Sequence, residues 1–314
     1  MKKMKVCFVG VGSIARRHIK NLIDICYERE IELSIDALRR SNSGVVEGIT
    51  FANVYVEESQ LPNDYDVIFI TNPTEFHMDM LSVLHNKAKH FFIEKPLTSL
   101  KKLDEVENFI CRDNSIYYIA CPLRYTSVIQ YLKNNVCMEE VVGVRCISSS
   151  YLPDWRPGID YRTTYSADKE MGGGVSIDLI HEWDYIKYLL GMPEKVTYVS
   201  GKVSDLELNC EDYATYIASY SDKFVELHLD YFGQKTIREI MLFTKQDTIV
   251  GDLVNSTVSY LKEGEKIEFG EKRDDFQKNE LRFFLDVLDG KSKNSNDMKD
   301  AYQTLRLTQG EVRE

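Results

Sequence analysis

At 314 residues the chain is longer than one comfortable hydrophobic core, so two domains are the expectation. An apolar content of 43% supports a sizeable core. The formal net charge of −11 argues against nucleic acid or an anionic membrane as the main partner, and leaves small anions open because they meet local charge. No stretch approaches the roughly 18 apolar residues of a membrane span. The seven cysteines are an odd number without Cys-x-x-Cys or zinc spacing, so they read as reduced thiols of a cytoplasmic protein with no metal centre. The start, Met1 to Lys5 followed by Val6 to Val11, faintly resembles a signal peptide. Its apolar run is too short, and a first strand is the better reading.

That strand runs from Lys5 to Val9. Gly10-Val11-Gly12-Ser13-Ile14-Ala15 follows, and then Arg16 to Tyr27 with apolar residues at helical spacing. This is the G-x-G-x-x-G/A pattern between a strand and a helix. Gly10 permits the tight turn, Gly12 lets the backbone approach a pyrophosphate, and Ala15 lets helix and strand pack closely. Ser13 and Ile14 open the helix, whose N-terminal donors and dipole suit phosphates.

The second strand is Leu33 to Leu38, and Arg39-Arg40-Ser41 comes next. A carboxylate at this strand end would hold a ribose 2′-hydroxyl. Two guanidiniums and a hydroxyl suit a 2′-phosphate instead, so NADP is expected over NAD. Asp36 is the rival for the ribose, and a solvated turn is the other account of the arginines. Asp66 to Ile70 is a further buried strand. It ends in Thr71-Asn72, which point small polar groups at the cofactor crevice, and a helix carrying His77 follows. His77 is either a cofactor contact or a structural group near the helix start.

Phe91 to Ile93 is an apolar run that stops at Glu94-Lys95-Pro96. As a buried parallel strand it delivers Glu94 and Lys95 to the sheet's carboxyl end, where open α/β sheets hold ligands. Pro96 keeps Lys95 out of a helix, and a cis Lys95–Pro96 bond would aim the lysine sharply. A surface Glu-Lys pair is the plain alternative. A helix around Leu100 to Ile110 and a strand from Ile116 to Cys121 complete a doubly wound parallel sheet of Rossmann type, residues 1–121.

After Arg124 the texture changes. A helix from Ser127 to Asn134 precedes strands at Val141 to Ile147, Lys195 to Val203, Ala214 to Tyr220, Phe224 to Tyr231, Glu239 to Thr244, Thr248 to Asp252 and Thr257 to Leu261. Many alternate polar with apolar, as half-exposed antiparallel strands do. Residues 122–314 therefore read as an α+β domain with a large, mainly antiparallel open sheet, carrying helices at Phe276 to Gly290 and Asp297 to Gly310.

Within it, Gly172-Gly173-Gly174 precedes Asp178, His181 and Asp184. The glycines admit something bulky near the backbone. Asp178 and His181 share a helical face, with Asp184 a turn further on, and a carboxylate beside an imidazole suits proton removal from an alcohol. A capped helix start with a histidine at the core edge explains the same residues. Trp155, Arg156, Tyr161, Arg162 and Tyr165, with Arg124, offer aromatic faces and guanidinium forks for a sugar or an anion, or an ordinary packed loop.

Gly10-x-Gly12-x-x-Ala15, Glu94-Lys95-Pro96, and Gly172-Gly173-Gly174 leading to Asp178 and His181 together resemble the Gfo/Idh/MocA family of nicotinamide-dependent oxidoreductases. The resemblance covers nearly the whole chain. It implies a Rossmann domain, a C-terminal domain whose open sheet mediates a homodimer or homotetramer, and a small-molecule substrate such as a sugar or nucleotide sugar. It also implies that Lys95 touches cofactor and substrate, that Asp178 assists and that His181 is the acid/base. One departure is that only Leu179 and Ile180 separate Asp178 from His181, where many members have three residues. The expected reaction is hydride transfer between the nicotinamide and a secondary alcohol or ketone of a sugar, nucleotide sugar or polyol. A dinucleotide-holding sensor without catalysis and an NAD-dependent glycosidase of the same family are the alternatives.

Overall fold

The computed structural model describes residues 2–41, 46 and 48–313. The chain forms two compact units, Met1–Pro122 with Gln277–Tyr302, and Leu123–Phe276 with Gln303–Glu314.

In the first unit the order is β1 (Lys2–Val9), α1 (Ser13–Glu28), β2 (Ile31–Leu38), β3 (Asn53–Tyr55), β4 (Tyr65–Ile70), α2 (His77–Leu84), β5 (Ala88–Ile93), α3 (Leu103–Asn108) and β6 (Tyr117–Ile119). The strands lie in the order β3-β2-β1-β4-β5-β6, and every pair is parallel. The strands are apolar on both sides because both faces are covered. Val6, Phe8, Phe69 and Phe92 pack with Ile19 and Leu22 of α1 on one face. Cys7, Val9, Ile68, Ile70 and Ile93 pack with Met78, Leu81 and Leu84 of α2 on the other. The connection from β1 runs to β2 on one side, and β4 pairs on the other, so the strand order reverses at β1, where such sheets open a ligand crevice.

In the second unit α4 (Ser127–Asn135), β7 (Val141–Tyr151), α5 (Val175–Asp178) and α6 (His181–Leu190) are followed by seven strands. These are β8 (Lys195–Gly201), β9 (Tyr213–Ser219), β10 (Phe224–Asp230), β11 (Phe232–Thr244), β12 (Thr248–Asp252), β13 (Thr257–Tyr260) and β14 (Glu265–Glu268). They form an eight-stranded sheet in the order β14-β13-β12-β11-β7-β10-β9-β8, antiparallel except for the parallel pair β7–β10. One face carries the core: Val144, Tyr216, Leu227, Leu229 and Leu242 pack in one cluster with Ile129, Leu132, Trp183 and Ile186 of the helices. The alternation seen in the sequence follows from this, since Tyr216 is fully buried while its neighbour Ile217 is 50% exposed.

Three departures from the sequence reading have physical reasons. The helix α7 (Asp275–Leu288) does not join the core of the second unit. Its Leu281, Phe284 and Leu285 pack on the first unit's sheet, with the Phe284 ring 5.2 Å from Phe92 and 5.3 Å from Tyr118. Amphipathic spacing shows that a helix has a face to bury and does not say which sheet receives it. The last helix, α8 (Met298–Leu307), begins in the first unit and ends in the second. The strands β3 and β14 are also additional: three and four residues are too short to show a period.

Candidate active site

The glycine turn is built as its spacing requires. Gly10 has φ +80°, and a Cβ on it would lie 2.9 Å from the Asn72 Cα, so glycine is needed on both counts. A Cβ on Gly12 would meet nothing within 4 Å, so the backbone there faces open space. Gly12 is the N-cap of α1, and no side chain caps the helix. The first backbone donors of a 16-residue helix therefore stand beside that space, with Ser13 exposed and Ile14 half-buried. Ala15 is fully buried under the helix. Thr71 braces the turn: its hydroxyl donates to the carbonyls of Val9 at 3.0 Å and Gly10 at 2.8 Å. Asn72 holds a buried Oδ1 with no hydrogen-bond partner among the described residues. An open backbone cradle and an orphan acceptor at neighbouring strand ends fit a dinucleotide.

Beyond β2, the Arg39 amide donates to Tyr55 O at 2.9 Å, Arg39 is half-buried, and Arg40 and Ser41 are exposed. The rival Asp36 is fully buried. Its carboxylate accepts the Tyr65 hydroxyl at 2.7 Å and the Asn53 amide at 3.0 Å, so it serves the sheet interior.

At the end of β5, Glu94 is 9% exposed and Lys95 half-buried. The Glu94 carboxylate uses both oxygens: Oε1 lies 2.5 Å from His18 Nε2, and Oε2 accepts the Lys95 amide at 3.2 Å. Burial by itself would raise this carboxyl. The His18 hydrogen bond and charge, with Lys95 and His77, outweigh burial and hold it below the ordinary range. The Lys95–Pro96 bond is cis. His77, the first residue of α2, lies with Nδ1 3.0 Å from Pro96 O and Nε2 2.9 Å from Asn72 O. The neutral ring has one N–H to donate to one of these carbonyls and sits against the other, and the imidazole spans the ends of β4 and β5. Burial pushes its basicity down against the opposing pull of those carbonyls. His18 is a residue the sequence reading missed. The signal was present, because His18 falls on the buried stripe Ala15, Ile19, Leu22, where an imidazole needs a partner.

In the second unit, two of the three glycines, Gly173 and Gly174, accommodate the chain itself, and Gly172 takes a left-handed turn at φ +83°. A Cβ on Gly173 would fall 2.0 Å from Tyr165 O, and one on Gly174 (φ +130°) 2.4 Å from Glu211 Oε1. The helix expected across Asp178 to Asp184 is broken. Helix α5 ends at Asp178, Leu179 turns out of helical geometry (φ −96°, ψ 31°), and α6 starts at His181. The polar residues then part company. Asp178 is buried and accepts the Tyr231 hydroxyl at 2.7 Å. Glu182 pairs with Arg238 at 2.8 Å. Asp184, expected near His181, is held by Arg124 at 2.7 and 2.6 Å, with both side chains 2% exposed. His181 is half-buried at the head of α6.

The expected substrate wall divides. Trp155 donates from Nε1 to Ser150 Oγ at 2.9 Å and sets its ring edge-on to Tyr231 at 5.3 Å. The Arg156 guanidinium lies 5.2 Å from the Tyr165 ring. Tyr165 stands beside Asp178, whose charge, with burial second, raises the phenol well above its ordinary value. Tyr165 and Tyr231 thus stand against Asp178, with Arg156 on Tyr165 and Trp155 on Tyr231. Tyr161 and Arg162 do not: the Tyr161 hydroxyl accepts the Glu207 amide at 2.9 Å, and Arg162 pairs on the surface with Asp160 at 2.7 Å and Glu207 at 3.0 Å. Tyr161 also lines a cavity of about 530 Å³ with Tyr151, Phe232 and Gln234. Arg124 is in the core, spent on Asp184.

Among the described residues no cluster of His, Cys, Asp or Glu is arranged to hold a metal, and no helix is long and apolar enough to cross a membrane. A doubly wound sheet with an open glycine turn at its switch point defines a dinucleotide-binding α/β protein. Residues 4–119 match the family model of oxidoreductases with an NAD-binding Rossmann fold (GFO/IDH/MocA), and residues 133–238 match the GFO/IDH/MocA C-terminal domain. The chain belongs to this family, as its motifs implied. It is 22% identical over 205 residues to a myo-inositol 2-dehydrogenase of Thermotoga maritima, a match covering 64% of this chain and 59% of that one. The chain thus spans less than two thirds of the length of such curated relatives, 58% and 59% in two cases. In fold it is similar to a levoglucosan dehydrogenase in complex with NADH (TM-score 0.81, 15% identity, 98% of this chain and 96% of that chain). It is also similar to the WlbA dehydrogenase of Bordetella pertussis in complex with NADH and UDP-GlcNAcA (TM-score 0.76, 16% identity, 98% and 94%).

Proposed function

We propose that the protein is a dehydrogenase that transfers a hydride between a nicotinamide cofactor and a secondary alcohol or ketone of a sugar, nucleotide sugar or polyol. The observation that carries this reading is Lys95 at the carboxyl end of β5, its amide held by a buried ionised Glu94, beside the open glycine turn. The relatives named above, which act on a polyol and a sugar or hold a nucleotide sugar, support the substrate class.

When bound, the nicotinamide supplies the hydride acceptor or donor. The amides of the Gly10–Ala15 turn hold its phosphates. Arg39, Arg40 and Ser41 hold a 2′-phosphate, which makes NADP the preferred form. The supporting fact is that Asp36 is already engaged by Tyr65 and Asn53. Lys95, cationic, stabilises the developing alkoxide. His181 takes the hydroxyl proton in oxidation and returns it in reduction. Asp178 carries the positioning on the second unit, fixed by Tyr231 and flanked by Tyr165, with Trp155 and Arg156 at hand for the sugar. We place the protein in the cytoplasm as a homodimer or homotetramer, and exposed Val199, Ile217 and Phe224 on β8–β10 support assembly through the sheet face.

Absorbance at the reduced-nicotinamide band, recorded with NADP and NAD against a panel of sugars, sugar acids, inositols and nucleotide sugars, tests the reading. Net reduction with at least one of them is expected, and NADP is expected to bind more tightly than NAD. Release of an aglycone without net reduction, or cofactor binding with no turnover, would replace it. Tighter binding of NAD would overturn the assignment of Arg39 and Arg40.

A further inference from the structure

We propose that His18 is a positioning residue for Lys95, acting through the Glu94 carboxylate. This rests on the role of Lys95 given above. His18 is 1% exposed and comes from α1, the helix that the glycine turn opens. Its Nε2 meets Glu94 Oε1 at 2.5 Å, while Nδ1, also buried, meets no hydrogen-bond partner among the described residues. Buried imidazoles are normally satisfied, so the one bond this ring makes is the reason for it to be there. Because the acceptor is a carboxylate, the proton sits on Nε2. The second oxygen of Glu94 receives the Lys95 amide, and the carbonyl of Pro96 faces His77. Two imidazoles, from α1 and α2, therefore clamp the Glu94–Pro96 segment from either end.

The charged and titratable groups facing Glu94 are His18, Lys95 and His77. His18 gives the carboxylate a side-chain hydrogen bond. Without it, burial dominates. The carboxyl then keeps its proton to higher pH, becomes a weaker acceptor for the Lys95 amide, and the lysine backbone loosens. A packing role alone predicts something different. The His18 ring also lies edge-on to Phe92 at 5.1 Å, and a leucine of similar bulk would preserve that contact.

The test compares His18→Leu, which fills the space without a donor, with His18→Gln, whose side-chain N–H can take the place of Nε2–H. Glu94 is followed in the cofactor-free protein by NMR of carboxyl-¹³C glutamate, assigned with Glu94→Gln. The kcat–pH profile is followed with the best substrate of the panel. In the wild type Glu94 titrates below its ordinary 4.5. In His18→Leu it is expected above that value, the acid limb of kcat moves up with it, and kcat at neutral pH falls about tenfold with the cofactor KM changed less than about twofold. His18→Gln is expected to recover most of both changes. An unshifted Glu94 titration, or a kcat profile in His18→Leu that matches the wild type, overturns the proposal. Should His18→Leu fail to fold, His18→Asn replaces it: its amide is one methylene too short to reach Glu94, and equal behaviour of Asn and Gln overturns the proposal. A wild type that oxidises nothing ends the functional reading, while the Glu94 titration still decides whether His18 governs this carboxylate.

Discussion

The segments Glu94–Pro96 and Asp178–Asp184 hold similar residue types, yet their polar groups are used differently. In the first, successive residues serve one place: the Glu94 carboxylate, the Lys95 amide and the Pro96 carbonyl are bound in one small network with His18 and His77. In the second, neighbouring residues are dispersed. Asp178 goes to Tyr231, Glu182 to Arg238 and Asp184 to Arg124. A strand end delivers its residues to a single edge of the sheet, whereas a helix turns each next residue by about 100° and hands it to a different neighbour. Similar residue types are thus gathered at one place or dispersed among several according to the element that carries them.

The sharpest way to break this contrast is at Arg124. Breaking a buried pair leaves an uncompensated charge and costs about 3–5 kcal/mol. Arg124→Leu is expected to lower the melting temperature by about 10 °C. Replacing both partners, with Asp184→Leu added, is expected to recover much of that loss, because the pair as a whole contributes little against apolar residues. A single variant that melts like the wild type would return Arg124 to the substrate wall. Lys95→Ala should behave in the opposite way. Its half-exposed side chain leaves the melting temperature within a few degrees, while kcat falls on the order of 10²-fold or more. A variant that melts well below the wild type but keeps its kcat while folded would make Lys95 the structural residue. Tyr231→Phe is intermediate. It removes the 2.7 Å bond to the Asp178 carboxylate. Hydrogen bonds to charged groups contribute about 1.5–3 kcal/mol, so a loss of that order in stability or in kcat/KM is expected. An effect on neither would show that Asp178 does not depend on its phenol.

Much of the first unit was legible because each strand is short, apolar and closed by a turn signal, and because its chemistry lies where strands stop. Gly10, Asn72 and Lys95 follow one another along adjacent strand ends, so local patterns were enough. The second unit was legible as a sheet, but the way its polar residues are dispersed was not. Spacing placed Asp178, His181 and Asp184 on one continuous helix, and the break at Leu179 leaves no mark in residue types. Tyr231 lies 53 residues from Asp178, and His18 lies 76 residues from Glu94. Such partners follow from tertiary packing, to which periodicity is blind. The glycine run was legible as close approach, but at Gly173 and Gly174 the approaching groups are the chain's own Tyr165 carbonyl and Glu211 carboxylate.

The gentlest perturbation is pH, read here at His77 and Glu94. His77 has a folded-state pKa below its ordinary 6.5, because burial disfavours the imidazolium more than the two carbonyls favour it. The unfolded chain therefore binds a proton that the folded chain resists. The contribution of His77 is complete above about pH 6.5 and is lost as pH falls through the lower, folded value. Glu94 is likewise depressed below 4.5, by His18, Lys95 and His77 against its burial. Its contribution is complete above about pH 4.5 and is lost as pH falls through the folded value. Urea midpoints are thus expected to decline in two stages on acidification, the first beginning near pH 6.5 and the second near pH 4.5. In His77→Gln the first stage should shrink, leaving the part owed to His85 and His90, which burial also lowers, and in Glu94→Gln the second should shrink, leaving what Asp66 and Asp230 contribute. The Asp184–Arg124 pair serves as the internal control: if Asp184→Asn removed the stage near pH 6.5, that stage would belong to the second unit, and the clamp around Lys95 would not be what titrates.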